Sequence, residues 1–208
     1  QKFERRRRMT PLQGSLQAFG NLWAGETNPQ TVIKNIETLL EAKSPELAQH
    51  AHRVNFYASL LAEHLQLSFE EKEHIQLGSY LHDIGKHAIP NSYLTKPSPL
   101  TAEEFAIVRT HVDIGVRLLE NAEVSPDIIQ IVSQHHERID GSGYPKGLKG
   151  DEISIGGQII GIADVTSAMT SKRTYRQAAS KKEVTKILLA SDPATFDPEI
   201  AKVALSCL

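Results

Sequence analysis

"SFEEKEHIQLGSYLHDIGK", residues 68–86, is the stretch on which the fold turns. Ser68 followed three residues later by Glu71 is the reciprocal capping pattern that opens a helix. Ile75, Leu77, Tyr80 and Leu81 then give that helix an apolar character. It closes on His82 and Asp83, two polar residues where the pattern calls for burial. A buried, ionised aspartate needs a cation, a ligand or several donors to offset its lost hydration. Adjacent helical residues point about 100° apart, so both side chains can face one ion. The stretch thus predicts a helix whose end carries a metal-ligating pair.

The same helical grammar recurs along the chain. Thr101–Glu104 and Ser180–Glu183 repeat the capping pattern, and Ser44-Pro45-Glu46, Ser125-Pro126-Asp127 and Asp197-Pro198-Glu199 each combine a cap, a proline and an acid. Leu47, Ala51, Val54, Ala58, Leu61 and Leu65 form one apolar stripe; Ile128, Ile131 and Val132 form another within a helix expected over 125–138. Residues 153–171 read as a helix in spite of Gly156-Gly157. The one candidate for β structure is a small hairpin over 144–155. The expected fold is all-α, a single helical bundle over 44–208, with residues 1–43 an N-terminal helical extension or linker.

Composition narrows the function classes. The 208 residues hold 40% hydrophobic side chains, enough for a sizeable core in one domain. A net charge of −2 gives no bulk case for nucleic-acid binding. "QKFERRRR" (1–8) carries Lys2 and four arginines against Glu4, a local +4 that leaves −6 on the rest, and reads as a solvated linker. The single cysteine, Cys207, leaves no internal disulfide and fits a reducing, cytoplasmic setting. No apolar run reaches the length of a membrane span. A start at Gln1 rather than Met is that of a piece cut from a longer protein.

Histidines supply the chemistry. His50, His82, His111, His135 and His136 fall in order, with Asp83 and Asp164 among them. Taken singly, His50 and His111 read as ordinary core or surface residues. The neighbouring pairs His82-Asp83 and His135-His136 are harder to place without an ion. Imidazole nitrogen and carboxylate oxygen suit Fe, Mn, Ni or Zn. Two such ions about 3.5–4 Å apart, sharing a carboxylate and a hydroxide, are a device for phosphoester hydrolysis that needs no serine or cysteine nucleophile.

"HAHRV" (50–54), "LHDIGK" (81–86), "HHERIDGSGYPKGLKG" (135–150), "IADVTSAMTSKRTYR" (162–176) and "FDPEI" (196–200) together resemble the HD-GYP family, cyclic di-GMP phosphodiesterases of the HD superfamily of metal-dependent phosphohydrolases. The resemblance runs from about residue 44 to the end. It implies an HD-type bundle and a first metal on His50, His82, Asp83 and Asp164. Asp83 would bridge to a second metal on His111, His135 and His136. Lys86 would act beside Asp83 on the substrate phosphate, and Arg173 and Arg176 would contact the dinucleotide phosphates. The glycine-rich loop would lie over the site mouth with Tyr144 and Pro145 presented outward, to substrate and to a diguanylate cyclase domain. Members with three metals use a glutamate one turn before the first histidine, a place held here by Glu46. The implied cofactors are two or three divalent ions, Fe or Mn ahead of Ni or Zn. The implied products are linear pGpG and, with a third ion, GMP. An upstream sensor or regulatory domain belongs to this arrangement. Alternatives are another cyclic dinucleotide or nucleotide as substrate, or a binding module without turnover. The chain departs from the family at Ser98, Val112, Ser167 (where some members carry glutamate) and "SPELAQ" (44–49). No departure removes a ligand of the central set.

Overall fold

The computed structural model describes residues 28–171, 178–189 and 194–208. Arg173, Arg176 and the basic run at 1–8 lie outside the described residues. The elements are α1 (Pro29–Lys43), α2 (Pro45–His64), α3 (Phe69–Leu81), a 3-10 turn (Ile84–Ala88), α4 (Asn91–Leu94), α5 (Ala102–Arg109), α6 (His111–Asn121), α7 (Pro126–Gln134), a 3-10 turn (Gly150–Glu152), α8 (Ile155–Thr170), α9 (Lys181–Leu189) and α10 (Pro198–Ser206). The described chain is all-α, as the sequence predicts, and none of its helices is long and apolar enough to cross a membrane.

The caps at Ser68, Thr101, Ser180 and Asp197 form as read, whereas Ser44 and Ser125 stand at helix starts without a side-chain cap hydrogen bond. Glu71 N–H donates to Ser68 Oγ at 3.3 Å while Ser68 N–H donates to Glu71 Oε2 at 2.8 Å. Thr101 and Glu104 do the same at 3.2 and 2.8 Å. Asp197 accepts from the N–H groups of Glu199 and Ile200. Each bond satisfies a donor that the first helical turn leaves without an intrahelical partner.

Two buried apolar clusters make the core. One joins Val54, Ala58 and Leu61 of α2 to Ile75, Ile131, Ile159, Ile160, Leu188, Ile200 and Leu205. The other joins Val32, Ile33, Ile36 and Leu40 of α1 to Ala48, Ala51, Tyr80, Leu81, Leu118, Leu119, Ile128 and Val132. Helices α2, α3 and α7 feed both clusters. His50 sits on α2, and His82 and His135 at the C-terminal ends of α3 and α7. α1, expected within the N-terminal extension, is thus packed into the core of the bundle.

Glycines set how closely the site-bearing elements approach. A Cβ on Gly85 would lie 1.9 Å from the carbonyl oxygen of His111, so the turn after Asp83 touches the start of α6 directly. On α8, a Cβ on Gly156 would lie 2.6 Å from the Ile131 side chain, and one on Gly161 2.7 Å from the His135 carbonyl. The glycines of α8 are therefore its contact face with α7.

Two expectations on local structure are corrected. The hairpin over 144–155 does not form; among the described residues an isolated antiparallel bridge between Asp140 and Lys149 stands in its place. Pro145 has no N–H to give, and the N–H groups of Lys146 and Leu148 donate to the Glu137 carboxylate rather than to a second strand. The helix expected over 125–138 ends at Gln134. There His135 Nδ1 donates to the Val132 carbonyl at 2.7 Å, and the Glu137 N–H turns in to Gln134 O at 2.8 Å. The helix read over 153–171 spans Ile155–Thr170, with Ser154 as its cap.

Candidate metal centre

Three histidines are fixed by one local device. Nδ1 of His82, His111 and His135 lies 2.7 Å from the carbonyl of Ser79, Val108 and Val132, each three residues back. A carbonyl only accepts, so Nδ1 carries the proton and Nε2 presents a lone pair. All three Nε2 atoms are buried without a hydrogen-bond partner, as is Asp83 Oδ1. Each buried polar atom without a partner costs about 1–3 kcal/mol. Acceptors gathered in this way call for a cation.

Asp83 stands between two sets. Its Oδ2 lies 3.4 Å from His82 Nε2 and 4.0 Å from His50 Nε2; its Oδ1 lies 3.4 Å from His111 Nε2. His50, His82 and Asp83 offer ligand atoms all within 4.8 Å of one another, and so do Asp83, His111, His135 and His136. Asp164 joins the first set through Oδ1, 2.9 Å from His50 Nε2. Ser167 Oγ lies 3.1 Å from His50 Nδ1, so a His50 that gives Nε2 to a metal has a partner for its other proton. The donor set fits a pair of first-row divalent ions bridged by Asp83. His50, His82, Asp83 and Asp164 would hold one, and Asp83, His111, His135 and His136 the other.

The electrostatics suit the same ligands. Burial pushes His111 down to about 4, with the Lys86 charge acting in the same direction. Burial pushes His136 down to about 3, against the Asp164 charge. Burial and the neighbouring His136 hold His135 well below the usual imidazole range. Burial is the largest single influence on His82 and lowers it, but the charge and hydrogen bond of Asp83 together with the Asp164 charge outweigh it and the net shift is upward. Burial raises Asp83 and Asp164; Lys86, His82 and His111 together overcome this for Asp83, and His50, His82 and His136 together overcome it for Asp164, so both stay well below the usual carboxylate range. Ionised carboxylates and mostly neutral imidazoles are the protonation states that bind metal.

Other expected residues are placed less simply. Lys86 Nζ donates to Asp83 Oδ2 at 2.6 Å, so in this structure it rests on the bridging carboxylate. Glu46 is exposed at the start of α2, where its Oε2 accepts from Ser44 Oγ at 2.5 Å; it belongs to neither ligand set. Tyr144 is a correction. Its ring turns inward and stacks on His136, 4.6 Å between centroids and 26° between planes, while Pro145 is exposed. Burial raises the Tyr144 hydroxyl pKa, as does the Asp83 charge.

Three contributors escaped the sequence reading. Glu137, the acid of "HHE", is buried and holds the glycine-rich loop by accepting from Lys146 N–H at 2.7 Å and Leu148 N–H at 3.0 Å. Its place directly after two histidines was the available signal. Ser167, marked in the sequence only as a departure, tethers His50 across 117 positions, a role nothing local announces. Arg109 lies with its guanidinium carbon 4.0 Å from the Tyr144 ring centroid. A close approach of the loop made room for this: a Cβ on Gly143 would lie 2.4 Å from Arg138 N.

A helical bundle with a histidine-aspartate pair at its centre defines the HD superfamily, and the HD domain family model matches residues 34–200. The chain belongs to that superfamily and, within it, to the HD-GYP type. Among its relatives is 3'3'-cGAMP-specific phosphodiesterase 2 of Vibrio cholerae, 38% identical over 182 residues that cover 86% of this chain and 35% of the relative. A cyclic di-GMP phosphodiesterase of Thermotoga maritima is 37% identical over 177 residues, covering 84% of this chain and 48% of the relative. The chain therefore spans less than half the length of either. An HDG"Y"P protein from Bdellovibrio bacteriovorus shares the fold, with a TM-score of 0.67 at 16% identity over 95% of this chain and 70% of that one.

Proposed function

We propose that this chain is a metal-dependent phosphodiesterase that opens cyclic dinucleotides, with cyclic di-GMP as substrate and linear pGpG as first product. The observation that carries the reading is Asp83, whose two oxygens face two separate sets of imidazole nitrogens. A pair of divalent ions supplies Lewis acidity and charge for cleavage of a phosphoester. The chain's own part is to hold that pair. Backbone carbonyls fix the rings of His82, His111 and His135 before any ligand arrives, which reduces the reorganisation left for the reaction. Lys86, which donates to Asp83, is proposed to share its charge with a substrate phosphate. Arg173 and Arg176 are proposed as further phosphate contacts. The described ligand sets support two ions; a third on Glu46 would require that carboxylate to leave Ser44. Exposed Pro145 and Lys146 are the proposed surface for a diguanylate cyclase domain.

The Vibrio cholerae and Thermotoga maritima relatives are named for different cyclic dinucleotides and are almost equally similar to this chain. The deciding experiment is turnover by anaerobically metal-loaded protein of cyclic di-GMP, 3'3'-cGAMP and cyclic di-AMP, with linear products resolved over time. Fastest cleavage of cyclic di-GMP is expected. A preference for 3'3'-cGAMP would reassign the substrate. No cleavage of any of the three by protein holding two ions would end the catalytic reading.

A further inference from the structure

The rings around Asp83 are not all held alike. His82, His111 and His135 are tied to their own helical turns, and His50 to Ser167. His136 has no such tie among the described residues. Its ring is held by neighbouring rings: Tyr144 stacked at 4.6 Å, His135 tilted at 4.1 Å and His111 edge-on at 5.2 Å. Tyr144 is the one contributed by the loop, and it is itself covered. The Arg109 guanidinium lies 4.0 Å from the Tyr144 centroid, too close to be at the ring edge. An imidazole and a guanidinium at these distances cannot share one face. The phenol ring is therefore sandwiched, His136 on one side and Arg109 on the other.

We propose that Arg109 is a positioning residue for the metal set formed by Asp83, His111, His135 and His136, clamping Tyr144 against His136 and so setting the His136 ring for ligation. This rests on the metal reading above. Its sequence position makes sense of the role. Arg109 ends α5, and His111 opens α6 two residues later. The junction that aims His111 into the centre also lays Arg109 over the loop. Arg109 forms no salt bridge among the described residues; its guanidinium faces the Tyr144 ring and, at 5.6 Å, the Phe105 ring. A cation over a phenol face shifts an equilibrium by about 3- to 10-fold. Part of that shift reaches the metal, because a ring already oriented loses less freedom on ligation.

The test uses the whole chain, stripped of metal and titrated anaerobically with Mn(II) by calorimetry and with Co(II) by visible absorption. The wild type should bind two ions. Arg109→Ala should bind both, one of them about 3- to 10-fold more weakly, with altered Co(II) bands for that ion alone. Its metal-free thermal unfolding should match the wild type. Arg109→Lys, which keeps a cation, should recover at least part of the lost affinity. Unchanged affinity for both ions in Arg109→Ala would overturn the proposal. So would unchanged metal binding with a raised KM, which would make Arg109 a substrate contact. Loss of both ions with lowered thermal stability would make its role structural, which also overturns it. A wild type that binds no pair of ions would instead overturn the metal reading beneath it.

Discussion

The two sides of Asp83 differ in what they offer an ion. On the side of His50 and His82, a second carboxylate, Asp164, adds negative charge, and His50 depends on Ser167 for its orientation. On the other side, His111, His135 and His136 give three imidazoles and, among the described residues, no carboxylate beyond Asp83 itself. The first side would hold a cation largely by charge, the second by nitrogen lone pairs that burial keeps unprotonated. A shared carboxylate joins two sites of unlike character, so a change on one side should be distinguishable from a change on the other.

The largest effect should come from removing what the sides share. Asp83→Ala is expected to lose both ions and to lower activity by more than the roughly 10–100-fold typical of losing a partner that merely orients a ligand. Full occupancy with near-normal turnover would break the two-sided description. His135→Ala against Asp164→Asn comes next. Each should lose one ion and keep the other, with different Co(II) spectra remaining. Identical residual spectra would mean that the sides are not separate sites.

A smaller effect should appear in the metal-free chain as pH falls. His111 sits at about 4 and His136 at about 3, and His135 is also lowered, whereas in the unfolded chain each takes a proton near about 6.5. Between those limits the unfolded state binds more protons, so these groups make stability rise with pH and fall on acidification. His82, shifted upward, opposes them. Asp83 and Asp164, both lowered, contribute above about 3.8 and lose that contribution only below it. The chelated protein should therefore melt at a lower temperature at pH 5 than at pH 7, with a shallower dependence in His111→Gln. A melting temperature independent of pH over that interval would contradict the assignment. The smallest effect is expected at Glu46. Glu46→Gln should leave the ion count at two and barely move the melting temperature, as expected for one exposed acid near a helix start. Loss of an ion in that variant would add a third site to the two-sided picture.

Much of this was legible from sequence because it is local. Ser68 and Glu71 meet within one turn, and the histidine-aspartate pair follows on the same helix. The central ligands appeared through their order along the chain. What escaped reading depends on competition for hydrogen-bonding groups and on contacts between distant parts of the chain. α7 stops at Gln134 because His135 and Glu137 take nearby hydrogen-bonding groups, a competition that periodicity does not register. Tyr144 turns inward because Glu137 holds the loop nearby and because His136 and Arg109 offer it two faces. Ser167 reaches His50 only once α8 lies against α2.

The carbonyl ties of His82, His111 and His135 have a consequence for which ion the protein carries. Three rings are set by the backbone of their own turns, and no choice of ion is needed to set them. A cage of this kind ranks divalent ions as its nitrogen and oxygen donors do, with affinity rising from manganese through iron towards nickel and copper. It has little means of rejecting a tighter-binding competitor by refusing to close. Its occupant is then a record of supply, the ion most available where and when the chain folds.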